Sequence, residues 1–171
     1  MRLFLAIPLS DIMRDLLDNT IASLRRDGVR GNFTRPENLH ITLHFLGEQP
    51  SAAVETLSNI LLAAVCPAFP LTISGLGRFD SGVLWAGILP SKELTLLYKD
   101  LRVFLQNAGF STENRAYHPH LTLAREYILP PDYLFPSLQP QSMTVDCIEL
   151  MESSRIAGKL CYSPLSMVRL T

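Results

Sequence analysis

A chain of 171 residues with 47% apolar and 18% charged side chains can bury a real core as one domain and is not a disordered coil. Its 15 basic and 16 acidic residues leave a net charge of −1, which excludes a protein that coats nucleic acid through an overall basic field. Any contact with nucleic acid has to be made at a local site.

In chain order, Arg2–Pro8 is an apolar run of strand length. Ser10 then caps a helix with Ile12, Met13, Leu16, Leu17, Ile21 and Leu24 on one face, and Gly28 suits its end. After a polar stretch, His40–Leu46 alternates strictly up to Gly47 and reads as a half-buried strand. Val54, Leu57, Ile60, Leu61, Ala64 and Val65 define a second helix, stopped by Pro67. Leu71–Phe79 and Val83–Leu89 flank Asp80-Ser81-Gly82 as a hairpin. Ser91 caps a third helix carrying Leu94, Leu97, Tyr98, Leu101, Phe104 and Leu105 inward, with Gly109 as its stop. A second polar stretch leads to His120–Arg125, and Pro130, Pro131, Pro136 and Pro140 mark an irregular connection. Met143–Met151 and Tyr162–Leu170 supply the last strands, with Arg155–Lys159 as the turn between them.

The three cysteines, Cys66, Cys147 and Cys161, are widely spaced without a CxxC pair, which suits a reducing compartment. Asp11 and Asp15 follow the first apolar run where a signal peptide would need small residues, so none is expected. The longest apolar run, Ile60–Cys66, is far short of the about 20 residues that span a membrane. The expectation is a cytoplasmic protein with no membrane contact.

One plan is used twice. Strand, Pro8 and Ser10-capped helix recur as strand, Pro90 and Ser91-capped helix. Ser10 precedes His40 by 30 positions and Ser91 precedes His120 by 29. Each copy ends in His-x-Thr-Leu. This points to a pseudo-duplicated α+β fold in which the two His-x-Thr strands meet near a shared axis.

Residues two apart on a strand share a face, about 6.6–6.8 Å from each other. His40 with Thr42, and His120 with Thr122, therefore each present an imidazole beside a hydroxyl, opposite an apolar face. Two such pairs suit displacement at phosphorus. A neutral imidazole removes a proton from the nucleophile, and an imidazolium protonates the departing oxygen. The threonines hold the non-bridging oxygens, and the scheme requires no metal. A lone His-x-Thr is usually structural; the pairing is what points to catalysis. A zinc site built on His118 and His120, or on His40 and His44, is the competing reading, but no cysteine pair or nearby carboxylate accompanies it. His44 and His118 are read as site-edge or structural residues.

His40-Ile41-Thr42-Leu43 with His44-Phe45-Leu46-Gly47, and Tyr117-His118-Pro119-His120-Leu121-Thr122-Leu123-Ala124-Arg125, resemble the paired signatures of the two-histidine phosphoesterases. Arg2–Ile7, Pro36-Glu37-Asn38-Leu39, Val83–Gly87 and Tyr162-Ser163-Pro164-Leu165 resemble its branch of RNA 2′,3′-cyclic phosphodiesterases, historically called 2′-5′ RNA ligases. The resemblance implies a bilobal α+β fold, with two mainly antiparallel sheets lining a central cleft and helices outside. It implies a single domain over 1–171, each lobe contributing one His-x-Thr-Leu strand. It also implies metal-free hydrolysis of a terminal 2′,3′-cyclic phosphate to a 2′-phosphate on RNA ends, with no cofactor; a monomer is the separate expectation, which the resemblance does not supply. Joining of RNA ends through a 2′-5′ linkage is the same reaction with a polynucleotide hydroxyl replacing water. By that analogy His40 donates the proton to the leaving oxygen and His120 accepts one from water, although the two strands are equivalent in sequence. Thr42 and Thr122 would bind the phosphate.

Arg125 would add positive charge there, yet on an unbroken strand it points away from His120 and Thr122. Phe45 has the same parity and is read as core. Tyr117, Phe33 and Trp85 are candidates for stacking on a base. The alternatives are the same chemistry on a small cyclic nucleotide and, from another class, a non-catalytic module that binds RNA ends. Intact His40, Thr42, His120 and Thr122 argue against the latter.

Overall fold

Serine caps set both long helices. In the computed structural model, which describes residues 1–64 and 66–170, strand β1 (Arg2–Pro8) runs into helix α1 (Asp11–Arg26). The Ser10 hydroxyl accepts from the Met13 amide at 3.3 Å, satisfying one of the free N–H groups of the first turn. Met13, Leu17, Ile21 and Leu24 form its buried stripe. Helix α3 (Lys92–Asn107) repeats the device: Ser91 accepts from the Leu94 amide at 3.1 Å, and Leu94, Leu97, Tyr98, Leu101 and Leu105 turn inward. The intervening helix α2 spans Ala53–Ala63; Val65, which the spacing includes, lies outside the described residues. Among the described residues no helix is long and apolar enough to cross a membrane.

The strands are β2 (Arg30–Phe33), β3 (His40–Glu48), β4 (Phe69–Phe79), β5 (Val83–Ile88), β6 (His120–Ile128), β7 (Gln141–Val145), β8 (Cys147–Ile156) and β9 (Lys159–Arg169). They form a four-stranded sheet, β3-β1-β8-β9, and a five-stranded sheet, β2-β6-β5-β4-β7. Every pairing is antiparallel, so the α+β class with two antiparallel sheets is as the sequence led us to expect. Each sheet holds one His-x-Thr strand, β3 in the first and β6 in the second. One continuous core joins them, with Leu3, Ile41 and Ile148 of one sheet and Leu84, Leu121 and Leu123 of the other buried together with the helix stripes. The opposite face of β1 and β8 carries a small separate cluster of Phe4, Ala6 and Met151, packed by Tyr162.

Three expectations are corrected. The polar stretch before His40 contains β2, which crosses to pair with β6, and a short 3-10 turn at Pro36–Asn38. Met143–Met151 is not one strand. It breaks at Asp146, with β7 pairing to β4 in one sheet and β8 to β1 and β9 in the other. Arg155 and Lys159 belong to strands, and the turn is only Ala157-Gly158, both at positive φ (49° and 77°). Strand propensity is local, but the choice of partner is made by distant segments, so it could not be read along the chain.

Candidate active site

Both His-x-Thr strands carry a bulge at the same offset. On β3, Thr42 pairs with Ala6 and His44 with Leu5, so one residue is extra on β3. On β6, Thr122 pairs with Trp85 and Ala124 with Leu84, again with one residue extra. A bulge of this kind resets the alternation of faces. Leu43 and His44 consequently both point into the core (3% exposed each), as do Leu123 and Ala124 (0% each). The next residues, Phe45 and Arg125, return to the face of the preceding histidine and threonine. Arg125 therefore lines the same cleft as His120 and Thr122, which removes the parity objection to it. Phe45 is not core: it is 38% exposed and lines the cleft with the Arg2 guanidinium 4.9 Å from its ring centre. Two adjacent apolar residues, Leu123 and Ala124, were the sequence signal for the bulge.

The two imidazoles are held alike. Nδ1 of His40 lies 2.8 Å from the Asn38 carbonyl, and Nδ1 of His120 lies 2.7 Å from the His118 carbonyl. A carbonyl only accepts, so each Nδ1 carries its proton and each Nε2 is the nitrogen that gives or takes one. Nε2 of His40 is 2.9 Å from the Thr42 hydroxyl. Phe4 and Tyr162 flank the His40 ring at 4.9 and 5.2 Å, and Phe79 meets the His120 ring edge-on at 4.9 Å. Asn38, 5% exposed, ties the approach to His40 onto β9 by donating its side-chain N–H to the Leu160 carbonyl at 3.0 Å.

Burial is the main cause that lowers the pKa of both histidines below the ordinary imidazole value, opposed by their carbonyl partners. The Arg125 charge lowers both further, and His40 also feels His120. Both therefore lie in the field of the one guanidinium.

His40, Thr42, His120, Thr122 and Arg125 line a single cleft of about 1100 Å³, together with Phe33, Arg35, Arg155, Lys159 and Tyr162. A second recess of about 530 Å³ shares Thr42, Phe45, His120, Thr122 and Arg125 with it. Such a constellation offers two proton-transfer groups, two hydroxyls and the Arg125 guanidinium around an anion of phosphate size.

The other sequence candidates separate. His44 is a core residue whose Nε2 donates to the Tyr98 carbonyl at 2.9 Å, with its ring stacked on Tyr98 at 4.2 Å. His118 contributes its carbonyl to His120 and lines the smaller recess. Tyr117 stacks on Tyr98 at 3.9 Å and donates its hydroxyl to the Thr42 carbonyl at 3.0 Å, tying the second copy to the first. Phe33 lines the large cleft, with the Arg25 guanidinium 4.7 Å from its ring centre. Trp85 lines neither recess and packs against Phe79 and Gly77, which removes it as a stacking platform. Among the described residues, no group of three His, Cys, Asp or Glu side chains gathers as a metal site would. Arg2 and Phe45 are cleft residues that sequence reasoning did not assign.

The family model described as the 2′-5′ RNA ligase superfamily matches residues 14–156. Among curated proteins, one from Escherichia coli K12 named RNA 2′,3′-cyclic phosphodiesterase is 32% identical over 177 residues, covering 99% of this chain and 97% of its own. One of the same name from Thermotoga maritima is 32% identical over 136 residues, covering 76% and 72%. The crystal structure of E. coli LigT in apo form superposes with a TM-score of 0.86 at 32% identity over 99% of this chain and 97% of that one. LigT has also been solved in complexes with 3′-AMP and with phosphate. A Thermus thermophilus structure, 24% identical, has a TM-score of 0.85 over 99% and 98% of the two chains and shares the fold.

Proposed function

The chain belongs to the 2′-5′ RNA ligase superfamily, and from that membership we propose that it is an RNA 2′,3′-cyclic phosphodiesterase. The observation that carries this reading is the pair of carbonyl-fixed imidazoles, His40 and His120, lining one cleft with Thr42, Thr122 and Arg125. The substrate is an RNA end closed as a 2′,3′-cyclic phosphate, and the product is a 2′-phosphate. Thr42, Thr122 and Arg125 hold the non-bridging oxygens. His120 Nε2 takes the proton of the attacking water. As the P–O3′ bond breaks, His40 Nε2–H gives its proton to O3′. The phosphorane-like charge falls on oxygens already facing the Arg125 guanidinium, so no metal is needed to offset it.

The same reading takes residues 1–171 as one domain of two pseudo-symmetric lobes, supported by the shared core and by matching bulges on β3 and β6. It places the protein in the cytoplasm as a monomer. The test is incubation with an oligonucleotide ending in a 2′,3′-cyclic phosphate, in EDTA. Opening to a 2′-phosphate supports the reading. Binding without turnover favours an RNA-end module, and a requirement for added metal overturns the two-histidine mechanism.

A further inference from the structure

Helix α3 ends at Asn107 and β6 begins at His120. The chain between them walls the smaller recess through Glu113, Arg115, Ala116, Tyr117 and His118. Residues 111–119 contain no helix or strand, and among the described residues they make no backbone–backbone hydrogen bond. Side chains hold this stretch instead. Two of the bonds lie on the surface, Gln106 to Thr112 at 2.9 Å and Arg102 to Asn114 at 3.3 Å, where water can replace them at little net cost. Tyr117 makes the inward attachment. Its hydroxyl donates to the Thr42 carbonyl at 3.0 Å, and its ring lies on Tyr98 at 3.9 Å, 5° from parallel.

The stack continues beyond Tyr98. His44 lies ring on ring with it at 4.2 Å, and Nε2–H of His44 donates to the Tyr98 carbonyl at 2.9 Å. With that nitrogen committed, Nδ1 is the atom that gains a proton in acid. His44 is 3% exposed and borders the smaller recess. Burial is the largest cause holding its pKa below the ordinary imidazole value; the bond to the Tyr98 carbonyl opposes it, the Arg102 charge adds to it, and Glu113 opposes it. Glu113 is itself paired with Arg115 at 2.6 Å. Leu5, opposite His44 on β1, is apolar. The recess also presents Tyr117, Arg2, His118, His120 and Arg125.

We infer that residues 111–119 are a strap closing the smaller recess, latched by Tyr117 and released when His44 takes a proton. The device does not depend on the hydrolase reading. A charged His44 needs water, and the strap is a wall of its recess that side chains alone hold in place. Lifting the strap breaks the Tyr117 bond to Thr42 and the two surface bonds, while the buried stripe of α3 and the pairing of β3 with β1 stay intact. Such a local opening costs less than unfolding. The closed form holds the imidazole neutral and the open form hydrates it, so the open form binds more protons below about pH 6.5. Its share rises as the pH falls from there, by up to about tenfold per pH unit, and levels off below the closed-state pKa.

Proteolysis of the full chain reads the opening. Papain, active on both sides of neutrality, is added at pH values from about one unit above to about one unit below ~6.5. Cleavage within the strap is followed by mass spectrometry and divided by the rate for a free peptide of the same sequence, so that the ratio reports the open fraction. In the wild type the ratio is expected to lie far below one near neutrality and to rise by about tenfold per pH unit below ~6.5. His44→Gln keeps an N–H for the Tyr98 carbonyl but cannot titrate, so its ratio should stay level. His118→Gln removes the imidazole of the strap itself and should keep the rise. Tyr117→Phe loses the bond to the Thr42 carbonyl, so its ratio should be about two- to tenfold higher at every pH, with the same slope. A level ratio in the wild type, a ratio near one throughout, or a rise that survives in His44→Gln overturns the inference. So does a parallel rise in cleavage elsewhere in the chain, because the opening is then global. Should His44→Gln not fold, the other proteins still decide: a rise abolished in His118→Gln, or a slope altered in Tyr117→Phe, overturns the latch.

Discussion

Arg125 and Thr122 share one face of β6 although they are an odd number of residues apart, because the bulge between them inserts a residue that has no partner on β5. The guanidinium thus stands beside the hydroxyl and near both imidazoles, whose affinity for protons it weakens.

Arg125→Ala is expected to lower kcat by about 10²–10³-fold, the usual effect of removing one group that stabilises a developing oxyanion. Arg125→Lys should restore part of it, since a point charge lacks the planar fork. Removing the cation also lets the pKa of both histidines rise, so the acid limb of the kcat/KM profile moves to higher pH. A variant with wild-type kcat and an unmoved profile would place Arg125 outside the chemistry.

The pH dependence of the wild type follows from the same fields. Catalysis needs one imidazole neutral and one charged, and in the free protein both pKa values lie below the unperturbed ~6.5. The kcat/KM profile, which reports the free enzyme, should be bell-shaped with its maximum below about 6.5. The phosphate anion favours the imidazolium, so the kcat profile should peak at higher pH. The two apparent values belong to the coupled pair. Steady-state kinetics across pH check this; a kcat/KM optimum on the alkaline side of neutrality would contradict it.

His40→Ala should reduce kcat by about 10²–10⁴-fold. Thr42→Val should cost less on its own. Because the Thr42 hydroxyl lies 2.9 Å from His40 Nε2, the double variant should lose less than the two single effects combined. Strict additivity in this cycle would mean that the hydroxyl does not act through the imidazole.

Acid should destabilise the fold through the histidines. His40, His44 and His120 all have folded pKa values lowered chiefly by burial. The unfolded chain therefore binds more protons once the pH falls below the unfolded value of about 6.5, and stability declines from there downward. His44→Gln keeps an N–H for the Tyr98 carbonyl but cannot titrate, so the decline should be shallower. Urea midpoints measured against pH test this; an identical slope in His44→Gln would show that this imidazole is not where acid acts.

Gly77→Ala should destabilise by about 1–3 kcal/mol, as overpacking does. A Cβ there would run into the Trp85 ring, which packs on Phe79, the residue that meets the His120 ring. Trp85 is the one tryptophan of the chain, so its fluorescence during thermal unfolding reports both the shift of the ring and the loss of stability.

Some of this was legible along the chain because its physics is local. Serine caps, apolar stripes at helical spacing and the repeated His-x-Thr-Leu depend on residues within a few positions of one another, and they led directly to the helices, to β3 and β6, and to His40, Thr42, His120 and Thr122 as candidates. The rest depends on which distant segment a strand meets. Alternation alone turned Phe45 into the core and Arg125 away from the cleft; pairing to β1 and β5 introduced the bulges that reversed both. Pairing also gave the polar stretch before His40 a strand, divided Met143–Met151 between two sheets, and put His40 on the large cleft and His120 on both the cleft and the smaller recess. A residue's propensity is carried by its own side chain, but the face it presents in a sheet is set by its partner, and only the folded chain brings that partner to it.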